Sequence, residues 1–227
     1  PEHWIYALVT LQTMEGFLGR GNYGIVRMNG GFGNRPFLGF ANDLSWGARF
    51  RRDLDVLLAE REPLAERYAL DGHPLLWTAP WDGAKDSAIP LDECDPYFLE
   101  ICRRIRFQQE GSDLVCWRAN TKGQRVDAPD SLNGDTGDPW TPIEKSDGKA
   151  LTLSGDGFTY ERLQAIVFEG EYARPPALQF RDTDDDNMYL VARALVRGQG
   201  KTEGLHHRIV PVPNKALPAL RKKSERE

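Results

Sequence analysis

Between Gly16 and Gly33 seven residues are glycine, and Arg20, Arg27 and Arg35 stand with Asn22, Asn29 and Asn34 in or beside the run EGFLGRGNYGIVRMNGGFG. Glycine permits positive φ and lets a ligand or another backbone come close, at an entropic cost. With so many donors alongside, the run is either a packing device or a binding loop. It contains a literal G-x-G-x-x-G at Gly19, Gly21 and Gly24, and Val26 extends this to the phosphate-loop pattern of a kinase. A dinucleotide cradle needs a strand before the motif and a helix after it, and a kinase needs a lysine on the next strand. Here a helical pattern precedes, loop follows, and no lysine occurs before Lys85. A phosphate- or nucleotide-binding enzyme using the GRGNYG loop therefore stands as an alternative beside a loop that only packs.

A second donor-rich stretch is Arg197–Gly204, RGQGKTEG. Gly200, Lys201 and Thr202 imitate the end of a Walker loop, but the first glycine of that motif falls on Leu195. The following LHHRIVPVP alternates like a strand, where phosphate binding needs a helix N-terminus. The stretch reads as a hairpin or loop that carries Arg197, Gln199 and Lys201, with His206, His207 and Arg208 beyond, able to touch phosphates and base edges. Asp182–Asn187 mimics a calcium loop but has Asn187 where glycine is required and Arg193 where glutamate is required, so a solvated hairpin turn is expected. Cys94, Cys102 and Cys116 show no C-x-x-C spacing and the four histidines are scattered, which speaks against zinc and for reduced thiols. Trp77, Trp81, Trp117 and Trp140 are expected in the core rather than as base-stacking platforms. No nucleophile–base grouping stands out.

These loops need a scaffold. Ile5, Leu8, Val9, Leu11 and Met14 have helical spacing over Trp4 to Phe17, and a second amphipathic helix is expected near Leu44 to Leu58, with Phe50, Leu54, Leu57 and Leu58 on one face and an end or kink at Pro63. Ile101–Phe107, Leu114–Arg118 and Gly123–Val126 read as a small antiparallel meander. Leu151 and Leu153 alternate as in a short strand, and Tyr160–Phe168 is helical. Leu178–Arg181, Met188–Val196 and Leu205–Val212 follow as strands. The absence of βαβ alternation gives an irregular α+β class with small antiparallel sheets. At 227 residues, 40% hydrophobic and 28% charged, the chain is globular in type and has no run of about 18 apolar residues for a bilayer. Its net charge of −5 argues against a free-standing nonspecific nucleic-acid binder, but not against local basic contacts within an assembly. It starts on Pro1 and ends on a helical pattern, KALPALRKKSERE, so a fragment of something longer is expected.

Four blocks in order, ALVTLQTMEGFLGRGNYGIVRMNGGFGNRP, LLWTAPWDG, DPWTPIEKSDGKALTLSGDGFTYERLQAIVF and LVRGQGKTEGLHHR, resemble the CasA-type large subunit of the type I-E CRISPR surveillance complex, Cascade. The resemblance implies that residues 1–213 are part of the family's α+β domain and that 214–227 begin a helix leading to a four-helix bundle outside this chain. It implies a cytoplasmic, non-enzymatic subunit without cofactors. Such a subunit recognises the protospacer-adjacent motif in double-stranded target DNA, helps open the duplex for pairing with the guide RNA, contacts other Cascade subunits, and presents a surface to a helicase-nuclease. No membrane is involved. Gly19, Arg20, Gly21 and Asn22 match the family's minor-groove loop, with Arg20 interposed between glycines that are often consecutive there. Gln199 matches its wedge, Lys201 adjoins it, and either Lys145 or Lys149 matches its groove-reading lysine. Glycines suit a narrow groove with a degenerate pattern, and a wedge unstacks a base step.

Overall fold

The alternation seen in 188–196 makes the central strand of the main sheet. Leu190, Ala192, Ala194 and Val196 face one side and enter the core with Met188, as the period of two along a strand requires. The computed structural model describes residues 3, 34–80, 87–99, 104–119, 126–198 and 201–224. In chain order the strands are β1 (Phe37–Ala41), β2 (His73–Leu75), β3 (Ile89–Pro90), β4 (Cys94–Leu99), β5 (Arg104–Glu110), β6 (Asp113–Ala119), β7 (Val126–Asp127), β8 (Ile143–Glu144), β9 (Tyr172–Ala173), β10 (Tyr189–Gly198) and β11 (Lys201–Pro211). The α-helices are α1 (Trp46–Glu60), α2 (Tyr160–Gln164), continued by a π-turn Ala165–Glu169, and α3 (Leu217–Ser224). The class is an irregular α+β fold. The expected helix at Trp4–Phe17 lies outside the described residues.

The chain divides into two units. One takes Gly33–Pro63 with Asp130–Glu227. Its sheet has the order β1-β10-β11, all antiparallel, with Phe37 opposite Arg193 and Ala41 opposite Tyr189. Leu38 and Phe40 of β1 join the core with Leu151, Leu153, Phe158, Leu163, Ile166, Leu178, Leu217 and Leu220. Asn34 and Arg35, from the donor-rich opening run, serve the backbone here: Asn34, at φ 65°, donates its N–H to Leu195 O (2.9 Å) and accepts from Leu153 N (2.8 Å), and Arg35 Nη1 donates to Gly134 O (3.0 Å).

Helix α1 starts where Ser45 Oγ accepts from Ala48 N (3.4 Å) and ends before a 3-10 turn, Glu62–Glu66, that contains Pro63. Its buried residues are Arg52 and Val56 rather than the expected apolar face, for Trp46, Phe50, Leu54 and Leu58 are exposed. The reason is Asp184. Arg52 Nε and Nη2 reach Asp184 Oδ1 and Oδ2, both at 2.8 Å, while Nη1 and Nη2 donate to Ala177 O (3.1 Å) and Gln179 O (2.9 Å). So the acidic segment Asp182–Asn187 is not a solvated hairpin turn. Its Asp184 is a buried ion-pair partner, and Arg221 of α3 bonds Asp184 O, Asp185 O and Asp186 Oδ1. Leu178–Arg181 is no strand either: Pro175 and Pro176 lack the N–H a ladder needs, and Pro176–Leu178 forms a 3-10 turn. Leu151 and Leu153 are buried in alternation, but their N–H groups go to Pro142 O and Asn34 O instead of a neighbouring strand.

The other unit includes Leu64–Pro129. There β2 pairs β4 and β3 pairs β7, both parallel, and β5 pairs β6 as an antiparallel hairpin. Among the described residues the expected three-stranded meander is a hairpin of two strands, and Val126–Asp127 pairs instead with Ile89–Pro90, while Gly123–Arg125 lie outside the described residues. Gly72 lets β4 come close: a Cβ there would stand 2.5 Å from Glu93 O and 2.6 Å from Cys94 C. Tyr68, Leu76, Leu91, Cys94 and Phe98 are buried in this unit.

Candidate nucleic-acid interface

The hairpin β10–β11 carries the RGQGK segment. Its inner half is fixed by β1, whose ladder reaches Arg193 and is followed by the Asn34 to Leu195 bond. Past that point, among the described residues, the two strands pair only with each other, to Gly198↔Lys201. Gln199 and Gly200, the two residues between, lie outside the described residues, as do Gly19, Arg20, Gly21 and Asn22. Lys201 is placed by register as the first residue of β11.

Register shifts at Val196/Arg197, Gly204 takes φ 126°, and the Glu203 side chain lies against the loop that precedes α2. That loop, SGDGF at Ser154–Phe158, braces the hairpin. A Cβ on Gly155 would sit 2.9 Å from Glu203 Oε2, and one on Gly157, at φ +64°, would overlap the His206 ring. His206 Nε2 is buried without a hydrogen-bond partner. Beside it Phe158, Leu205, His206, His207 and Arg208 line a hollow of about 220 Å³. The sequence reading named His206, His207 and Arg208 but not the glycine pair that seats them. The paired glycines of SGDGF are the signal that was there to find.

Lys145 and Lys149 stand on one exposed turn after β8. Gly148 N donates to Glu144 O (2.9 Å), Lys145 N to Glu171 O (2.9 Å), and Asn133 Nδ2 to Asp147 O (3.1 Å), so the turn is held by its backbone. Both side chains are outward, and nothing in the turn separates their roles. Acidic groups surround it. The Tyr172 hydroxyl is raised above its ordinary pKa first by burial and then by Glu144, with Glu171 and Asp147 adding and Arg162 opposing.

Among the described residues no group of three His, Cys, Asp or Glu side chains is placed to hold a metal ion, and no helix is long and apolar enough to cross a membrane. The tryptophans divide. Trp140 is buried and stacks on Phe37 (centroids 4.5 Å, 19°), as expected, whereas Trp117 on β6 is exposed. No protein-family model matches the chain, and no curated protein matches it.

Proposed function

We propose that this chain is a non-catalytic reader of double-stranded DNA, the motif-recognising part of a large subunit in a CRISPR RNA-guided surveillance complex of the cytoplasm. The observation that carries the reading is the end of the β10–β11 hairpin. It runs past β1 and closes on the pair Gly198↔Lys201, and the two residues of sequence between them are Gln199 and Gly200. A short turn of this kind suits insertion between base steps, an unstacking that costs a few kcal/mol and is offset by guide pairing and backbone contacts. His207 and Arg208 are exposed along the same strand, as donors for phosphates. Lys145 and Lys149 sit among carboxylates, so each suits a defined groove contact better than general attraction of a polyanion. Gly19, Arg20, Gly21 and Asn22 complete the proposed interface through the resemblance. The partners are the guide RNA complex, its other subunits, and a helicase-nuclease recruited once DNA is bound.

The experiment is binding and opening of motif-bearing duplexes by the assembled complex, with Gln199→Ala, Gly19→Asp and Lys201→Gln. Loss of opening with Gln199→Ala, loss of motif preference with Gly19→Asp, and a salt slope lower by about 0.9 with Lys201→Gln are expected. Unchanged behaviour in all three sinks the assignment.

A further inference from the structure

The β5–β6 ribbon pairs over seven residues a strand, from Arg104↔Ala119 to Glu110↔Asp113, and no third strand joins it among the described residues. Its charge is segregated. The stretch 101–107 contains Arg103, Arg104 and Arg106, and 117–126 contains Arg118, Lys122 and Arg125, with no carboxylate in either, in a chain of net charge −5. Pairing sets their described parts side by side: Arg104 is opposite Ala119, Ile105 opposite Arg118, and Arg106 opposite Trp117. The acidic residues Glu110 and Asp113 belong to the far end, about 13 Å from Arg106 at roughly 3.3 Å per residue.

Alternation puts Arg104, Arg106, Val115 and Trp117 at positions on one face of the ribbon. Trp117 is 56% exposed, where a tryptophan of a two-stranded ribbon would ordinarily be covered for stability. An accessible indole flanked by cation-bearing positions is the composition that holds a nucleic-acid single strand: phosphates follow the charge, and an unpaired base stacks on the ring. A duplex keeps its base faces covered, so the indole would add nothing to it. An acidic peptide would use the charge but has no flat π-face to lay on the ring.

We propose that the Trp117 face of the β5–β6 ribbon is a binding site for single-stranded nucleic acid. This site is in the other unit from the hairpin and stands whether or not the duplex-reading proposal does. The test is fluorescence anisotropy of the full chain with a labelled oligo-dT of about ten nucleotides, the same length of duplex, and a poly-glutamate peptide of equal charge. Trp117→Ala weakens single-strand binding roughly 5- to 150-fold and leaves duplex and poly-glutamate binding unchanged, and Trp117→Phe restores most of the loss. Arg106→Gln lowers the slope of log K against log salt by about 0.7. Leu114→Ala, at an exposed position on the opposite face of the same ribbon, leaves single-strand binding unchanged. Equal binding by wild type and a Trp117→Ala chain of unchanged Tm overturns the site. So does a Trp117→Ala chain that loses duplex or poly-glutamate binding by the same factor as single-strand binding.

Discussion

Removing the guanidinium of Arg52 tests what holds α1 in place. Arg52 and Asp184 are almost wholly buried and meet through two parallel 2.8 Å hydrogen bonds, and the same guanidinium satisfies the carbonyls of Ala177 and Gln179. Breaking a buried pair by removing one partner costs about 3–5 kcal/mol, because the other charge remains without compensation. Asp184 keeps two donors, Arg181 N at 2.9 Å and the Asn42 amide at 3.0 Å, which places Arg52→Met toward the lower end, about 3 kcal/mol. For a chain of this size that is a fall in Tm of about 6–12 °C. Urea-dependent hydrogen exchange at the β1 and β10 amides assigns the loss to this unit. Arg52→Lys keeps the charge but not the fork, and is expected to recover less than half of it. The double variant Arg52→Met with Asp184→Leu should be more stable than Arg52→Met alone, since no buried charge is left unpaired. A loss below about 1 kcal/mol in Arg52→Met, or a double variant no better than the single, refutes the reasoning.

Gly157→Ala combines a positive φ with a Cβ inside the His206 ring, and is expected to cost about 1–3 kcal/mol by thermal unfolding, whereas Gly47→Ala in exposed α1 is expected to gain up to about 1 kcal/mol. Gly72→Ala forces backbone against backbone at β4, so urea unfolding of that unit should shift by more than about 2 kcal/mol. Asp53 has its carboxyl raised above the ordinary range, chiefly by burial, with Trp140, Arg49 and Arg52 opposing. Its folded pKa exceeds its unfolded one, so its contribution is fully present below the ordinary carboxylate value and falls as pH rises to the raised value. Unfolding measured across that window should show a shallower loss in Asp53→Asn, and an identical slope counts against it. Leu220→Ala removes a fully buried side chain of α3 and should cost about 2–5 kcal/mol by urea unfolding.

Hydrophobic period alone makes α1, the π-extended Tyr160–Glu169 segment and both strands of the hairpin legible in the sequence, to within a few residues. What failed has a common physical cause. The face of α1 was judged from apolar spacing, but a single charged pair with a carboxylate 132 residues away turned Arg52 inward and left Phe50, Leu54 and Leu58 in water. Asp184 looked solvated because its partner is distant in sequence. Gly123–Val126 follows turn residues and so resembles a third meander strand, yet Val126, with Asp127, finds a parallel neighbour at Ile89–Pro90. For the site, the sequence named His206, His207, Arg208, Lys145 and Lys149, and the fold puts the first three around one hollow and the last two on one turn. Gly155 and Gly157 escaped notice because a glycine's role depends on what approaches it.

The β10–β11 hairpin is anchored closer to its end than its length implies. Val196 is a core residue and Gly198 closes the last pair, so the projecting part is about two residues a strand, roughly 7 Å. A stub of that length behaves as a stiff cantilever rather than a swinging arm. Sliding it by one residue would turn Leu190, Ala192, Ala194 and Val196 out of the core together, so its register is locked. Its aim is set instead at the Val196/Arg197 bulge and at Gly204, and a substitution at Gly204 would redirect the end of the hairpin without touching any residue there.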